Sequence, residues 1–174
     1  MVLDVRLEKL ARGLSSRDVV DAYALSQSDP KSLRSEQRAL ADELEATIEA
    51  MFLMAAVDGQ VSDAELGQLA ASCEAMIDLT GARSQPVKIG KLLAELNAVL
   101  AKEGWKARLD AVARRLKAPE ARSFAFRLAA GVAFVDDHVA HAEAAGIDAL
   151  AAALALTPEE SQEILNDVQE TLFG

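Results

Sequence analysis

The chain has one cysteine, Cys73, in 174 residues. A lone cysteine excludes an intramolecular disulfide and favours a reducing, cytoplasmic setting. No uncharged apolar run approaches the length of about 18 residues that a membrane-spanning helix needs, so we expect no transmembrane segment. The first residues, MVLDVRLEKLARG, alternate charge with leucine and lack the basic and apolar regions of a secretory signal.

Sequence motifs of common enzyme classes are also missing. The chain contains no P-loop and no dinucleotide-binding fingerprint. Its serines do not lie in the G-x-S-x-G pattern of a nucleophile elbow. The alternating acidic residues of an EF-hand loop are absent. We therefore predict a protein that is not an enzyme.

Basic residues are too few for binding to bulk nucleic acid by charge, because 28 acidic side chains outnumber 18 basic ones and the net charge is −10. Residues 102–127 nevertheless carry eight basic and three acidic groups. This basic stretch is either a solvated helix face or a surface for an anionic or membrane-associated protein partner. The candidate partner-binding residues are Trp105, Lys106, Arg114 and Arg115. Trp105 has a second interpretation, as a core or groove-lining residue.

Hydrophobic residues recur throughout with the period of a helix, and no segment alternates as a strand would. Alanine, leucine, glutamate and arginine dominate, and all four favour helices. The sequence predicts an all-α fold, a compact bundle of about seven to nine helices. The expected helices cover about 2–12, 16–26, 32–57, 62–79, a segment that begins near Pro86 and ends before Gly104, 105–117, 119–135, 140–156 and a last helix from Thr157.

The stretch SQSDPKS at 26–32 has turn composition and predicts a domain boundary. Residues 1–30 are then a helical N-terminal extension, and 31–174 form the main helical domain. Leucines in the extension suggest that it mediates homodimerisation. They are Leu3, Leu7, Leu10 and Leu14.

One segment occurs twice. Residues 55–65 read AAVDGQVSDAE and residues 133–143 read AFVDDHVAHAE, with six of eleven aligned positions identical. An internal repeat of this kind indicates duplicated architecture. Each copy joins the end of one helix to the start of another through an acidic turn. The repeat units cover about 36–80 and 119–156.

Two helix starts carry the S/T-x-x-E spacing of a capping box, in which a hydroxyl and a carboxylate satisfy free backbone N–H groups. The first is Ser62 with Glu65, directly after the first acidic turn. The second is Thr157 with Glu160, where Pro158 also takes the first helical position. The second acidic turn has Ala140 where the first has Ser62, so it lacks this box.

The repeated pattern A-x-x-D-G-x-V-x-x-x-E resembles the TerB-like family of bacterial tellurite-resistance proteins. The first copy has Ala55, Asp58, Gly59, Val61 and Glu65, and the second has Ala133, Asp136, Val139 and Glu143. The ending ALALTPEESQEIL is also similar to that family, and the resemblance covers roughly residues 36–174. It implies an all-helical fold, a role in tellurite resistance, stress response or phage defence, and a divalent metal held by acidic residues.

The candidate metal ligands are Asp58, Glu65, Asp136 and Glu143, with Asp63, Asp137, His138 and His141 as secondary candidates. Oxygen ligands suit Ca²⁺ or Mg²⁺. The histidines, which only the second copy has, would shift the preference toward Zn²⁺, Mn²⁺ or Ni²⁺. If the copies meet by approximate two-fold symmetry, the four main candidates converge on one ion. The alternative is that these side chains only cap helices and complement helix dipoles.

Three functions remain open from the sequence. The first is a non-enzymatic interaction module of a stress-response system that binds a divalent cation through the acidic turns. The second is a metal-free helical scaffold that dimerises. The third is a metal-dependent hydrolase with carboxylates and histidines around one or two ions.

Overall fold

A computed structural model describes residues 3–11, 23, 25, 31, 34–57, 61–80, 88–135, 138–139 and 141–174. Eight helices lie within these ranges, which confirms the predicted all-α bundle. They are α1 (Leu3–Ala11), α2 (Ser35–Ala55), α3 (Asp63–Thr80), α4 (Gly90–Glu103), α5 (Trp105–Arg115), α6 (Pro119–Ala133), α7 (His141–Ala153) and α8 (Pro158–Phe173). The helix expected over 16–26 falls largely outside the described residues.

The helix starts follow the local capping chemistry. At α8 the Glu160 N–H donates to Thr157 Oγ1 at 3.1 Å, and the Thr157 N–H donates to Glu160 Oε1 at 3.0 Å. At α3 the Glu65 N–H donates to Ser62 Oγ at 3.2 Å. Pro119 begins α6, where its missing N–H has no consequence. These boundaries were predictable because a cap and its partner are three residues apart.

The core forms around α2 and α6, the two helices that precede the acidic turns and that pack most extensively on each other. Ile48, Met51 and Phe52 of α2 are fully buried, as are Phe126 and Leu128 of α6. Fully burying one large apolar side chain stabilises a fold by about 1.5–3 kcal/mol. The paired helices therefore fix the position from which each acidic turn starts.

The N-terminal helix α1 belongs to this same core, although the sequence indicated an extension. Leu7 and Leu10 are fully buried, and α1 packs on α3, α6 and α8. A Cβ at Gly131 of α6 would lie 2.3 Å from Leu10 Cδ1, so any larger residue there would require the Leu10 side chain to shift. Leu7 and Leu10 are therefore buried within the chain and are not available to a dimer interface in this structure, and homodimerisation stays a prediction. Leu14 lies outside the described residues, and the side chain of Leu3 does as well.

A two-residue antiparallel ladder frames the second acidic turn. It pairs Phe134 with Val139 and Val135 with His138, and its strands are β1 (Phe134–Val135) and β2 (His138–Val139). The helical periodicity of the sequence did not indicate this ladder, although valine and phenylalanine favour strands. Phe134 is buried, and its ring lies 6.0 Å from that of Phe173 in α8. This contact ties the base of the turn to the last helix.

Cys73 is a buried thiol of α3. Burial, and secondarily the charge of Glu74, raises the pKa of this thiol to about 12. Within the ranges that the structure describes, no helix has the length and hydropathy needed to cross a membrane.

Candidate functional site

Helix α7, the second helix of the second repeat unit, packs against the C-terminal end of α2, the helix that leads into the first acidic turn. A Cβ at Gly146 of α7 would lie 2.8 Å from Val57 Cγ2 and 3.3 Å from Met54 Sδ. The helix can approach this closely because residue 146 has no side chain. Val57 is the last described residue before the first acidic turn. The packing therefore brings α7 beside the position where that turn begins.

Glu143 lies one helical turn before Gly146 in α7, on the face that approaches α2. Its Oε2 atom is inaccessible to solvent and has no hydrogen-bond partner among the residues that the structure describes. An unpaired buried polar atom costs about 1–3 kcal/mol, and a charged one costs more. Glu143 is thus a candidate ligand with a buried oxygen that no other described residue binds.

Glu65, its counterpart in the first repeat, makes different contacts. Its Oε1 accepts hydrogen bonds from Ser62 Oγ at 2.8 Å and from the Ser62 N–H at 3.4 Å. Both Glu65 and its neighbour Asp63 are exposed. The capping function that the sequence offered as an alternative is therefore present in the first repeat, and one oxygen of Glu65 is occupied by it.

The remaining ligand candidates lie outside the described residues. These are Asp58, Asp136 and Asp137, together with the side chains of His138 and His141. Among the described side chains, no three histidine, cysteine, aspartate or glutamate residues come together as a metal site would require. The predicted convergence of the two turns on one ion stays a prediction.

The basic stretch divides into inward and outward residues. Trp105 is partly buried, and its Nε1–H donates to the Leu53 carbonyl oxygen at 2.8 Å. Arg115 is also turned inward, whereas Lys106 and Arg114 are exposed. Of the four candidate partner-binding residues, two therefore attach α5 to α2 and two face solvent.

Glu49 of α2 is a buried acidic residue that was not among the candidates predicted from the sequence. It is 0% exposed, and its carboxylate accepts hydrogen bonds from Arg108 Nε at 2.7 Å and Arg108 Nη2 at 2.8 Å. Arg115 Nη1 adds a contact at 3.4 Å. The hydrogen bonds to Glu49 are the largest cause of a raised pKa at Arg108. The available sequence signal was a single acid inside the apolar stripe of α2.

Two further arginines of the basic stretch also bind within the chain. Arg122 donates to the carbonyl oxygens of Leu116, Ala113 and Leu154, which lie at or near the ends of α5 and α7. Such bonds satisfy carbonyl groups that a helix end leaves free. Arg127 of α6 donates to the Leu10 carbonyl oxygen and pairs with Asp167 of α8.

Half of the eight basic side chains thus hold the bundle together. The other four are exposed and form no ion pair within the part of the chain that is described. They are Lys102, Lys106, Arg114 and Lys117. The outward basic surface is smaller than the count of charges in the sequence suggested.

Comparisons with protein-family models, with curated proteins and with solved structures found no match to this chain.

Proposed function

We propose that the chain is a non-enzymatic, TerB-like interaction module of a bacterial stress-response system, and that it binds a divalent cation beside its acidic turns. The observation that carries the cation proposal is the Oε2 atom of Glu143, which is buried and has no hydrogen-bond partner among the residues that the structure describes. A carboxylate oxygen is a ligand that Ca²⁺, Mg²⁺ and Mn²⁺ accept, and a bound cation would remove the cost of leaving it unpaired.

Acidic residues of both repeats are suitable ligands for such an ion. Glu143 offers an unused oxygen, and the contact of Gly146 with Val57 supports a location of Glu143 near the first acidic turn. Asp58 and Asp136 complete the proposed ligand set. Glu65 would act through the oxygen that the capping box leaves free. The bound ion would supply positive charge that holds the two hairpins together.

The interaction part of the proposal rests on the outward face of α5. Lys106 and Arg114 are exposed on that face and are two helical turns apart, so an anionic protein partner can reach both. Trp105 and Arg115 would contribute by holding the helix in place, since both bind to α2.

Thermal unfolding of chelator-treated protein, titrated with Ca²⁺, Mg²⁺, Mn²⁺ and Zn²⁺, tests the cation proposal. An ion bound only by the folded state at about 100 times its Kd stabilises by about 2.7 kcal/mol. We expect a saturable rise in Tm that Glu143→Gln and the double variant Asp58→Asn/Asp136→Asn both lose.

Glu160→Gln is the matched control, because Glu160 caps α8 in the way that Glu65 caps α3. This variant should start from a lower Tm and still show the full rise with the ion. A flat response of the unmodified protein to all four ions would overturn the cation proposal.

The capping box of Ser62 and Glu65 favours a second candidate, the metal-free helical scaffold. For a scaffold, chelator and metal ions leave Tm unchanged, and Glu65→Gln and Glu160→Gln destabilise by similar amounts. The same titration therefore separates the two candidates.

A further inference from the structure

A groove of about 440 Å³ lies between the first half of α6 and the middle of α8. Its lining is Pro119, Glu120, Ser123, Phe124, Arg127 and Ile164. Phe124 and Ile164 are half-buried and pack against the core from one side. Their other sides provide an apolar floor.

The rim of this groove is acidic. Three exposed acidic residues of α8 lie next to Ile164 on the helix surface. They are Glu160, Glu163 and Asp167. On α6 the rim carries Glu120, which is also exposed. Arg127 is the cation among the lining residues, and its pairing with Asp167 offsets its charge.

The last part of the chain, which includes α8, carries charge of one sign. From Leu128 to Gly174 the sequence contains nine acidic residues and no lysine or arginine. Like charges four residues apart in α8, such as Glu159 with Glu163, repel each other and destabilise the helix. Cations supplied from outside the chain would relieve this repulsion.

We propose that the groove between α6 and α8 binds a cationic amphipathic helix of a partner protein. An apolar side chain of that helix would contact Phe124 and Ile164, as anchors at helical spacing do in other helix-binding grooves. Its lysines or arginines would lie along Glu120, Glu160 and Glu163. The charge of the groove selects a basic partner and speeds its association.

This inference goes beyond the cation proposal, because the groove is formed by other residues than the acidic turns. Neither Glu120 nor Glu163 has an ion-pair partner in the portion of the chain that the structure covers. Both charges are therefore available to a ligand. Loss of ion binding in the Tm titration would leave the groove proposal unaffected.

The test uses the full chain and a fluorescent synthetic helix of about 14 residues, with leucines at the i, i+3, i+4 and i+7 spacing and lysines elsewhere. Fluorescence anisotropy measures its Kd. A scrambled peptide of the same composition and an acidic analogue with glutamate in place of lysine are the comparators. We expect binding of the amphipathic basic peptide, with weaker binding of the scrambled form and none of the acidic form.

Glu163→Lys should weaken that binding by about tenfold, because it reverses a rim charge at the groove. Glu95→Lys is the matched control, since Glu95 is an exposed acid of α4, which packs mainly on α2, α3 and α5. It changes the net charge equally and should change Kd by no more than about twofold. Ser123→Gln, which narrows the groove without a change in charge, should also weaken binding.

Methyl NMR locates the peptide. The methyl signals of Ile164 should shift on titration, whereas those of Ile89, which is fully buried elsewhere in the core, should not. Equal weakening by Glu163→Lys and Glu95→Lys, or no shift at Ile164, would overturn the proposal. A shift of Ile164 with protein concentration alone, without peptide binding, would identify a second copy as the occupant and also overturn it.

Discussion

Arg108 of α5 donates two hydrogen bonds, of 2.7 and 2.8 Å, to the fully buried carboxylate of Glu49 in α2. The two residues are 59 positions apart in the sequence. The pair attaches the helix that carries the exposed basic side chains to the helix that leads into the first acidic turn. The pair thus connects the exposed basic side chains of α5 with the first acidic turn, and the proposed function involves both.

Removal of one partner of this pair should be strongly destabilising. Arg108→Met leaves the buried Glu49 charge without its main partner, and breaking a buried pair in this way costs about 3–5 kcal/mol. Urea unfolding at pH 7 measures the loss. Glu103→Gln is the control, because Glu103 is a half-exposed partner of Arg108 and such surface pairs contribute about 0–1 kcal/mol. The double variant Glu49→Leu/Arg108→Met should recover much of the stability, and a failure to recover would mean that the pair itself stabilises the fold.

Trp105, the single tryptophan, reports directly on the contact between α5 and α2. Its indole N–H bonds the Leu53 carbonyl oxygen, so Trp105→Phe loses that hydrogen bond and leaves a carbonyl unpaired. We expect a loss of about 1–3 kcal/mol. In the unmodified protein the fluorescence maximum should lie to the blue of the unfolded value and move to the red on unfolding. A maximum equal to that of free tryptophan would contradict the partly buried position.

Gly146 and Gly67 should respond oppositely to alanine. Gly146→Ala places a Cβ 2.8 Å from Val57 Cγ2 and should destabilise by about 1–3 kcal/mol. Gly67 is an exposed helical residue with nothing within 4 Å of an added Cβ, so Gly67→Ala should stabilise by about 0.5–1 kcal/mol. Thermal unfolding compares both with the parent protein. Val57→Ala should relieve part of the Gly146→Ala loss, and equal effects of the two alanines would refute the close packing of α7 on α2.

Cys73 should make stability depend on pH in the alkaline range. Its folded pKa, raised by burial to about 12 from an ordinary value of 9.0, lies above its unfolded pKa. The neutral thiol therefore stabilises the fold fully below pH 9, and this contribution is lost as the pH rises toward 12. Above pH 9 the free energy of unfolding of Cys73→Ala should decline less steeply with pH than that of the parent protein. Other groups that titrate in this range contribute equally to both proteins, so the difference between them reports on Cys73. A thiol reagent should label native Cys73 far more slowly than the urea-unfolded chain, and equal rates would contradict its burial.

The starts of several helices could be predicted from the sequence. Ser62 with Glu65 and Thr157 with Glu160 set the starts of α3 and α8, and the structure confirms both. Pro119 marked the start of α6. Each signal acts over about one helical turn, so no knowledge of the tertiary structure was needed. The period of the apolar residues determined the all-α class for the same reason.

Only the tertiary structure decided which charged side chains of different helices pair and which helix faces pack together. The sequence could not show that Glu49 meets Arg108, that Arg127 meets Asp167, or that Leu10 of α1 meets Gly131. Each of these contacts joins residues that are distant along the chain, and many helix arrangements satisfy the same amphipathic pattern. The sequence by itself therefore determined where the helices are and which faces are apolar. The packing determined that four of the eight basic side chains in residues 102–127 bind within the protein, and that Glu143 has a buried oxygen with no hydrogen-bond partner among the described residues.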